Sequence, residues 1–366
     1  MRSGSRASAV TGMTVLWAAA WWLLAHGALH GTEAGRTGVV SLQAEEKSPL
    51  FPLTEPLRSG FLKVSDLHEI CWEVCGNDRG LPVILLHGGP GARSDPGMRR
   101  FFDPKDHKII VFDQRGAGRS RPQGEWRENT TSLLVEDIQR LRKHLGVEGR
   151  AILFGGSWGT TLGLAYAEAY PELVSGLLLR GVFLATEAEI DYFYHGGSAA
   201  HFPENFERLQ RVVPRPERLD YPRQLYEMTQ SEDPVLRERA VNGWAFYEVR
   251  MASLEMTDSA CERIVASVPK DSLRAFSVLE NYYMMNRCFL KEGQLLGDAH
   301  KIAHIPTFIV NGRYDAVCPP RTAYGLASRL KTVKLELTVA GHSQNDPANT
   351  EALLRGARWL SEQAAR

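Results

Sequence analysis

Short apolar segments alternate with amphipathic ones along most of the chain. The apolar segments predict eight strands, at residues 61–64, 69–74, 82–86, 108–112, 151–154, 175–180, 307–311 and 334–339. Helical periodicity predicts helices over 132–145, 159–170 and 349–363. Apolar strands that alternate with helices are typical of a mostly parallel sheet covered on both faces, and the first two strands are close enough in sequence to form an antiparallel hairpin. The pattern therefore predicts an α/β fold.

The strand pattern stops in the middle of the chain. Residues 183–304 show helical periodicity and are rich in aromatic and acidic residues, and this stretch is too long for a loop. We therefore predict a helical cap over 183–304, inserted between two parts of one core, 49–182 and 305–366. An insertion between two late strands is expected to lie over the carboxyl ends of the strands, where α/β enzymes bind ligands.

The N-terminus has a different composition. Residues 1–32 contain no acid, and Arg2 and Arg6 precede an apolar run over 15–25. This run is shorter than the roughly 20 residues that a membrane span needs, so a signal peptide is the leading interpretation. An uncleaved anchor, an organelle presequence and a wrongly assigned start codon are the alternatives. Residues 33–48 are predicted to be a linker, and contact with a membrane is expected only if the apolar segment is retained.

Composition and charge narrow the function classes. The chain has 366 residues, of which 43% are hydrophobic, with 43 Lys and Arg against 43 Asp and Glu. This composition is that of a globular protein, and the zero net charge argues against nucleic acid as a partner. The five cysteines lack the spacing of a metal site, and Cys71 and Cys75 lie too far apart on one predicted strand to form a disulfide. These features favour a reduced, cytoplasmic type of core, whereas the N-terminus indicates secretion or organelle targeting.

The strongest chemical signal is the G-x-S-x-G sequence at residues 155–159. It follows a predicted strand and precedes a predicted helix, which is the context of a nucleophile elbow. Small residues on both sides of Ser157 allow the sharp turn that exposes its hydroxyl. We therefore predict Ser157 to be a catalytic nucleophile.

A serine nucleophile needs a base and an acid that orients the base. Asp315 and His342 each follow a predicted strand, and the chain order Ser, Asp, His is that of this fold. The glycine-rich segment 87–91 also follows a strand, and its position predicts that the N–H groups of Gly89 and Trp158 hold the oxyanion. Since no P-loop or dinucleotide fingerprint is present, neither a nucleotide nor another cofactor is expected, and no metal is expected.

Five motifs occur together in a fixed order: HGGPG, DQRGAGRS, GGSWG, GRYD and AGHS, at 87–91, 113–120, 155–159, 312–315 and 340–343. From about Pro52 to the C-terminus the chain resembles the proline iminopeptidase (prolyl aminopeptidase) family of α/β-hydrolases. The resemblance implies an α/β-hydrolase fold with a helical cap, and it assigns the triad to the same Ser157, Asp315 and His342. The DQRGAGRS segment is predicted to brace the loops of the site.

The resemblance also implies the substrate. Family members remove an N-terminal proline, so the expected partner is a peptide with a free N-terminal proline. Two cap glutamates would hold its ammonium: Glu248, in a W-x-x-W-E motif whose second Trp is Tyr247 here, and Glu280, in an E-N-x-Y motif. Phe183, in RGVF, would line the proline slot, with Phe193 as a weaker candidate. Met284 stands where an aromatic residue is expected, which would loosen proline selectivity.

Two other functions are weighed against this prediction. An esterase or amidase of the same fold, with broader small-acyl specificity, would not need Glu248 and Glu280. A catalytically inactive binding protein would not need the complete triad together with both oxyanion donors.

Overall fold

A computed structural model describes residues 49–365. The predicted N-terminal segment, residues 1–32, and the predicted linker, residues 33–48, lie outside the described residues. None of the helices between residues 49 and 365 is long and apolar enough to cross a membrane.

Eight strands form one sheet in the order β1-β2-β4-β3-β5-β6-β7-β8. Their bounds are β1 Arg58–Lys63, β2 Glu69–Gly76, β3 Leu81–Leu86, β4 His107–Phe112, β5 Ala151–Gly156, β6 Val174–Arg180, β7 Thr307–Gly312 and β8 Val333–Thr338. β2 pairs antiparallel with both β1 and β4, and the remaining pairs are parallel. The α/β fold with a mostly parallel sheet and an N-terminal hairpin is therefore confirmed.

Eleven α-helices accompany the sheet within residues 49–365. They are α1 Thr131–His144, α2 Trp158–Ala169, α3 Glu187–Tyr194, α4 Pro203–Val212, α5 Tyr221–Gln230, α6 Pro234–Met251, α7 Asp258–Ser267, α8 Lys270–Met285, α9 Gln294–Asp298, α10 Pro320–Ala327 and α11 Pro347–Ala364. α1, α2 and α11 are the helices that periodicity predicted. α10 has only eight residues, which is too short to show a clear apolar stripe in the sequence.

The two faces of the sheet belong to different hydrophobic clusters. Along β3, Ile84 and Leu86 pack in the cluster that contains α1 and α2, whereas Val83 and Leu85 pack in the cluster that contains α11. This alternation follows from the two-residue period of a strand. Helices cover both faces of the sheet. A ligand can therefore reach polar residues of the core only where the strands end.

Every labelled element between β6 and β7, from α3 to α9, is helical. α5 packs against α6 and α8, and α6 also packs against α4 and α7. Aromatic side chains join these helices, since the Tyr194 ring of α3 stacks on Trp244 of α6 at 4.5 Å between centroids. This helical segment carries both glutamates singled out from the sequence, on α6 and α8.

Candidate active site

Ser157 stands in a strained turn between β5 and α2. Its φ is 57° and its ψ is −128°, a backbone conformation that few residues other than glycine adopt. The Ser157 N–H donates to the carbonyl oxygen of Arg180 at 2.8 Å, which ties the turn to the end of β6. A Cβ at Gly159 would overlap the carbonyl oxygen of Leu86, and a Cβ at Gly155 would overlap that of Gly159. The two glycines of the motif are therefore required by close packing around the serine.

Asp315 and His342 meet beyond the ends of β7 and β8. The Nδ1 atom of His342 lies 2.7 Å from Oδ2 of Asp315, whose side chain is fully buried. The other oxygen of Asp315 accepts the backbone N–H groups of Val317, at 2.9 Å, and Cys318, at 2.7 Å. These bonds fix the carboxylate against Nδ1 of His342 and leave Nε2 as the ring nitrogen that points away from Asp315.

The structure brings Asp315 and His342 together but gives Ser157 a different partner. Nε2 of His342 faces Nη1 of Arg180 at 3.0 Å. The Ser157 hydroxyl hydrogen-bonds the thiol of Cys318, a buried residue. Burial, and then the charge of Asp315, raise the pKa of this thiol well above its usual range, so it is protonated at neutral pH.

The segment predicted to hold the oxyanion lies beside Ser157. A Cβ at Gly88 would come within 3.4 Å of the Ser157 Cβ, and Gly89 has a φ of 106° that favours glycine. Trp158 is the first residue of α2, with its side chain fully buried. Both predicted oxyanion residues therefore lie next to Ser157.

Gln114 of the DQRGAGRS segment braces this region. Its side-chain oxygen accepts the indole N–H of Trp158 at 2.8 Å, and its side-chain nitrogen donates to the carbonyl oxygen of His87 at 2.9 Å. The backbone N–H of Gln114 donates to Nε2 of His87 at 3.0 Å. One buried side chain thus connects the glycine-rich segment with the residue that follows the nucleophile.

A small cavity lies between Ser157 and the helical segment. Ser157 and Gly89 line it from the core, and Glu248, Glu280 and Phe183 line it from the other side. The remaining lining residues are Glu189, Ile190, Phe193, Tyr194, Met284, Val317 and Cys318. A larger cavity on the outer face, lined by Glu204, Arg208 and Phe246 among others, contains none of the predicted site residues.

Glu248 and Glu280 form a buried carboxylate pair. They hydrogen-bond each other, and Oε2 of Glu280 also accepts the indole N–H of Trp244 at 2.7 Å. Oε2 of Glu248 is buried and has no hydrogen-bond partner among residues 49–365. Burial raises the pKa of Glu248 to about 7, and burial together with the charge of Glu248 raises that of Glu280 well above its usual range. The pair therefore shares a proton near neutral pH, and no salt bridge joins it to a cation within residues 49–365.

Apolar side chains form the remaining wall of the cavity. Phe183 and Phe193 are almost fully buried there, and Met284 lies beside them. The hydroxyl of Tyr247 donates to the carbonyl oxygen of Phe193 at 2.6 Å. The tyrosine that replaces the family's second tryptophan thus holds the backbone of a residue in the cavity wall.

Sequence reasoning missed part of this wall. Glu189, Ile190 and Tyr194 line the cavity from α3, the helix that also carries Phe193, and none of these three is a candidate from the sequence. Glu189 carries a signal that the sequence does contain, because Thr186 and Glu189 form a capping box at the start of α3. Its carboxylate accepts the N–H groups of Leu184 and Thr186, so its oxygens are already bonded.

Helix α8 packs directly on the glycine-rich segment. A Cβ at Gly91, whose φ is 91°, would come within 2.6 Å of the Leu279 Cβ. Leu279 immediately precedes Glu280 on α8. The helix that carries one carboxylate is therefore in contact with the segment beside Ser157.

Within residues 49–365, no group of three or more His, Cys, Asp or Glu side chains is placed to hold a metal ion.

The sheet, the strained serine turn and the Asp–His pair at the strand ends define a class of protein, the α/β-hydrolases. A family model described as "alpha/beta hydrolase fold" matches residues 82–345. Among solved structures, VinJ superposes with a TM-score of 0.60 at 21% identity, covering 84% of this chain and all of that one. A proline iminopeptidase from Mycobacterium smegmatis superposes with a TM-score of 0.56 at 19% identity, covering 84% of this chain and 99% of that one.

Sequence comparison narrows the class. The chain is 42% identical over 311 residues to a proline iminopeptidase of Arabidopsis thaliana, covering 84% of this chain and 81% of that protein. It is also 42% identical over 308 residues to one from Xanthomonas citri, covering 84% of this chain and 97% of that protein. The chain therefore belongs to the proline iminopeptidase family of α/β-hydrolases and is a hydrolase, which confirms the resemblance seen in its motifs.

Proposed function

We propose that this hydrolase is a serine aminopeptidase that releases N-terminal proline from peptides by acyl transfer. The observation that carries this proposal is the buried Glu248–Glu280 pair in the same cavity as Ser157. An esterase would gain nothing from two buried carboxylates, which are costly to desolvate without a cation. An N-terminal ammonium supplies that cation.

The residues that line the cavity suit a prolyl residue. A prolyl N-terminus is a secondary ammonium with two N–H groups, one for each carboxylate of the pair. Its pyrrolidine ring would lie against Phe183, Phe193 and Met284, which line the same cavity. An acylated N-terminus would leave the carboxylates unpaired, so the site is expected to reject blocked peptides.

The chemical step uses the residues at the strand ends. Ser157 attacks the prolyl carbonyl carbon as Nε2 of His342 takes the hydroxyl proton, and Asp315 stabilises the resulting imidazolium. The backbone N–H groups of Gly89 and Trp158 hold the oxyanion. His342 then protonates the leaving amine, and the C–N bond breaks to give a prolyl ester of Ser157. Water, deprotonated by His342, hydrolyses this ester and releases proline.

Turnover of amino acid arylamides by purified protein tests the substrate. We expect kcat/KM for the prolyl compound to exceed those for the alanyl, leucyl and arginyl compounds by at least about tenfold, since ring burial contributes about 1–3 kcal/mol. N-acetylprolyl arylamide is the matched control and should not be cleaved. Equal turnover of alanyl and prolyl compounds would reject proline as the preferred substrate, and cleavage of the blocked compound would reject recognition of the ammonium.

The apparent KM should depend on pH through the carboxylate pair. The pair binds an ammonium in its ionised form, and the pKa of Glu248 is raised to about 7 with that of Glu280 higher still. Raising the pH therefore increases the fraction of the binding form. Between about pH 5.5 and about pH 7.5, where the substrate amine stays protonated, we expect KM for prolyl arylamide to fall at least about fivefold. p-Nitrophenyl acetate has no ammonium, so its KM should not fall with pH in this way. A KM for prolyl arylamide that rises with pH would contradict the carboxylate pair as the binding site of the ammonium.

A further inference from the structure

Arg180, the last residue of β6, contacts both the base and the nucleophile turn. Its Nη1 atom lies 3.0 Å from Nε2 of His342 and donates to the His342 carbonyl oxygen at 2.9 Å. Its own carbonyl oxygen accepts the Ser157 N–H. The imidazole is thereby held at both ring nitrogens, by Asp315 on one side and by Arg180 on the other.

Two glycines make room for this arrangement. A Cβ at Gly156 would overlap the guanidinium of Arg180, and only side-chain atoms of Arg180 lie that close to it. A Cβ at Gly181, whose φ is 60°, would come within 2.8 Å of Cε1 of His342. The negative charges of Asp315 and Asp346 also act on the buried guanidinium. The guanidinium is therefore confined between β5 and the imidazole.

We propose that Arg180 is a positioning residue for His342, a role that rests on the proposed function in assigning His342 as the base. The guanidinium stays protonated in proteins and only donates hydrogen bonds. Its bond to Nε2 therefore requires that this nitrogen carry a lone pair, which is the form that accepts the serine proton. When the Ser157 hydroxyl takes over Nε2, the bond from Arg180 to the His342 carbonyl oxygen remains and keeps the ring aligned.

Substitution of Arg180 tests this role. We expect Arg180→Met to lower kcat for prolyl arylamide about 100-fold with KM changed less than about threefold, because misplacement of a catalytic group costs about that factor while the carboxylate pair is untouched. Labelling of Ser157 by a fluorophosphonate probe, which reports activation of the serine without any peptide, should slow in parallel. Arg180→Lys keeps one donor and should lose only about tenfold in kcat, a partial rescue.

The matched control is Arg142→Met. Arg142 is another buried arginine that donates to a backbone carbonyl oxygen, that of Gly149 at 2.6 Å, but it lies on α1 outside the site. This variant loses a comparable bond and should keep the wild-type kcat. If Arg180→Met does not fold, Arg180→Lys decides alone, and an unchanged kcat in that variant overturns the proposal.

Gly156→Ala disturbs the guanidinium without changing Arg180. The added methyl group overlaps only the end of a flexible side chain, so the fold is expected to tolerate it while Arg180 is pushed away from His342. We expect kcat to fall about tenfold in the wild-type background and not at all in the Arg180→Met background, since the two changes act through one contact. Equal losses in both backgrounds would overturn the proposal.

The remaining outcomes separate this inference from the proposed function. Wild-type activity on prolyl arylamide with unchanged kcat in Arg180→Met would overturn the positioning role and leave the aminopeptidase standing. Faster probe labelling in Arg180→Met would also overturn it, because Arg180 would then be restraining the base. Absence of prolyl turnover in the wild type, with probe labelling that still depends on Arg180, would reject the aminopeptidase and support the positioning role.

Discussion

Ser157→Ala should abolish turnover of prolyl arylamide, lowering kcat by about 10⁴-fold or more, because removal of the nucleophile from a serine triad leaves only the oxyanion donors and substrate binding. Substrate affinity should remain, since the carboxylate pair and the apolar wall are untouched. The melting temperature should change little, as alanine accepts the same backbone turn with the loss of one hydrogen bond to Cys318. Steady-state kinetics and thermal unfolding of the purified variant measure both effects.

The control for this variant is Ser175→Ala. Ser175 is also a buried serine, on the neighbouring strand β6, and its hydroxyl has no hydrogen-bond partner in the described part of the chain. This variant should keep full activity and should still be labelled by a fluorophosphonate probe, whereas Ser157→Ala should not be labelled. Residual activity above about one per cent in Ser157→Ala would reject Ser157 as the nucleophile.

Replacing either cap glutamate with glutamine should separate peptide from ester cleavage. In Glu248→Gln or Glu280→Gln we expect kcat/KM for prolyl arylamide to fall about 100-fold or more, because a close, buried charge pair contributes several kcal/mol to binding. p-Nitrophenyl acetate has no ammonium and does not need the carboxylate pair, so the rate of its hydrolysis should change less than about threefold. Parallel assays of the two substrates on each variant give the ratio.

Glu248→Gln and Glu280→Gln should also be no less stable than the wild type at high pH. Burial raises the pKa of Glu248 in the folded protein to about 7. Protonated Glu248 therefore contributes to the free energy of unfolding below its unfolded-state pKa, and this contribution is lost as the pH rises through about 7. Glutamine does not titrate and avoids this loss.

The matched control is Glu238→Gln. Glu238 is exposed, lies on α6 with Glu248 and pairs with Lys270, and its variant should keep full activity. Equal loss of arylamide and ester cleavage would reject the carboxylate pair as the ammonium site.

Most of the fold could be predicted because its signals are local. A short apolar run marks each of the inner strands, and Ser157, Asp315 and His342 each follow a predicted strand. The contact between Arg180 and His342 joins residues 162 positions apart and has no local signal. From the sequence alone, Arg180 is only the first residue of the RGVF segment that contains Phe183, and no role is predicted for it. Glu189, Ile190 and Tyr194 of α3 also line the cavity without a local signal for that role, since the sequence does not fix the face that a short helix turns toward the core.

The contact between Gly91 and Leu279 has a consequence for where peptides are cut. It joins the segment beside the nucleophile to the helix of Glu280 without an intervening layer. The separation between Glu280 and Ser157 therefore depends on how α8 packs on this segment. Under the proposed function, this separation matches the distance from the ammonium to the first peptide bond of a substrate. The enzyme is therefore expected to release single amino acids instead of dipeptides.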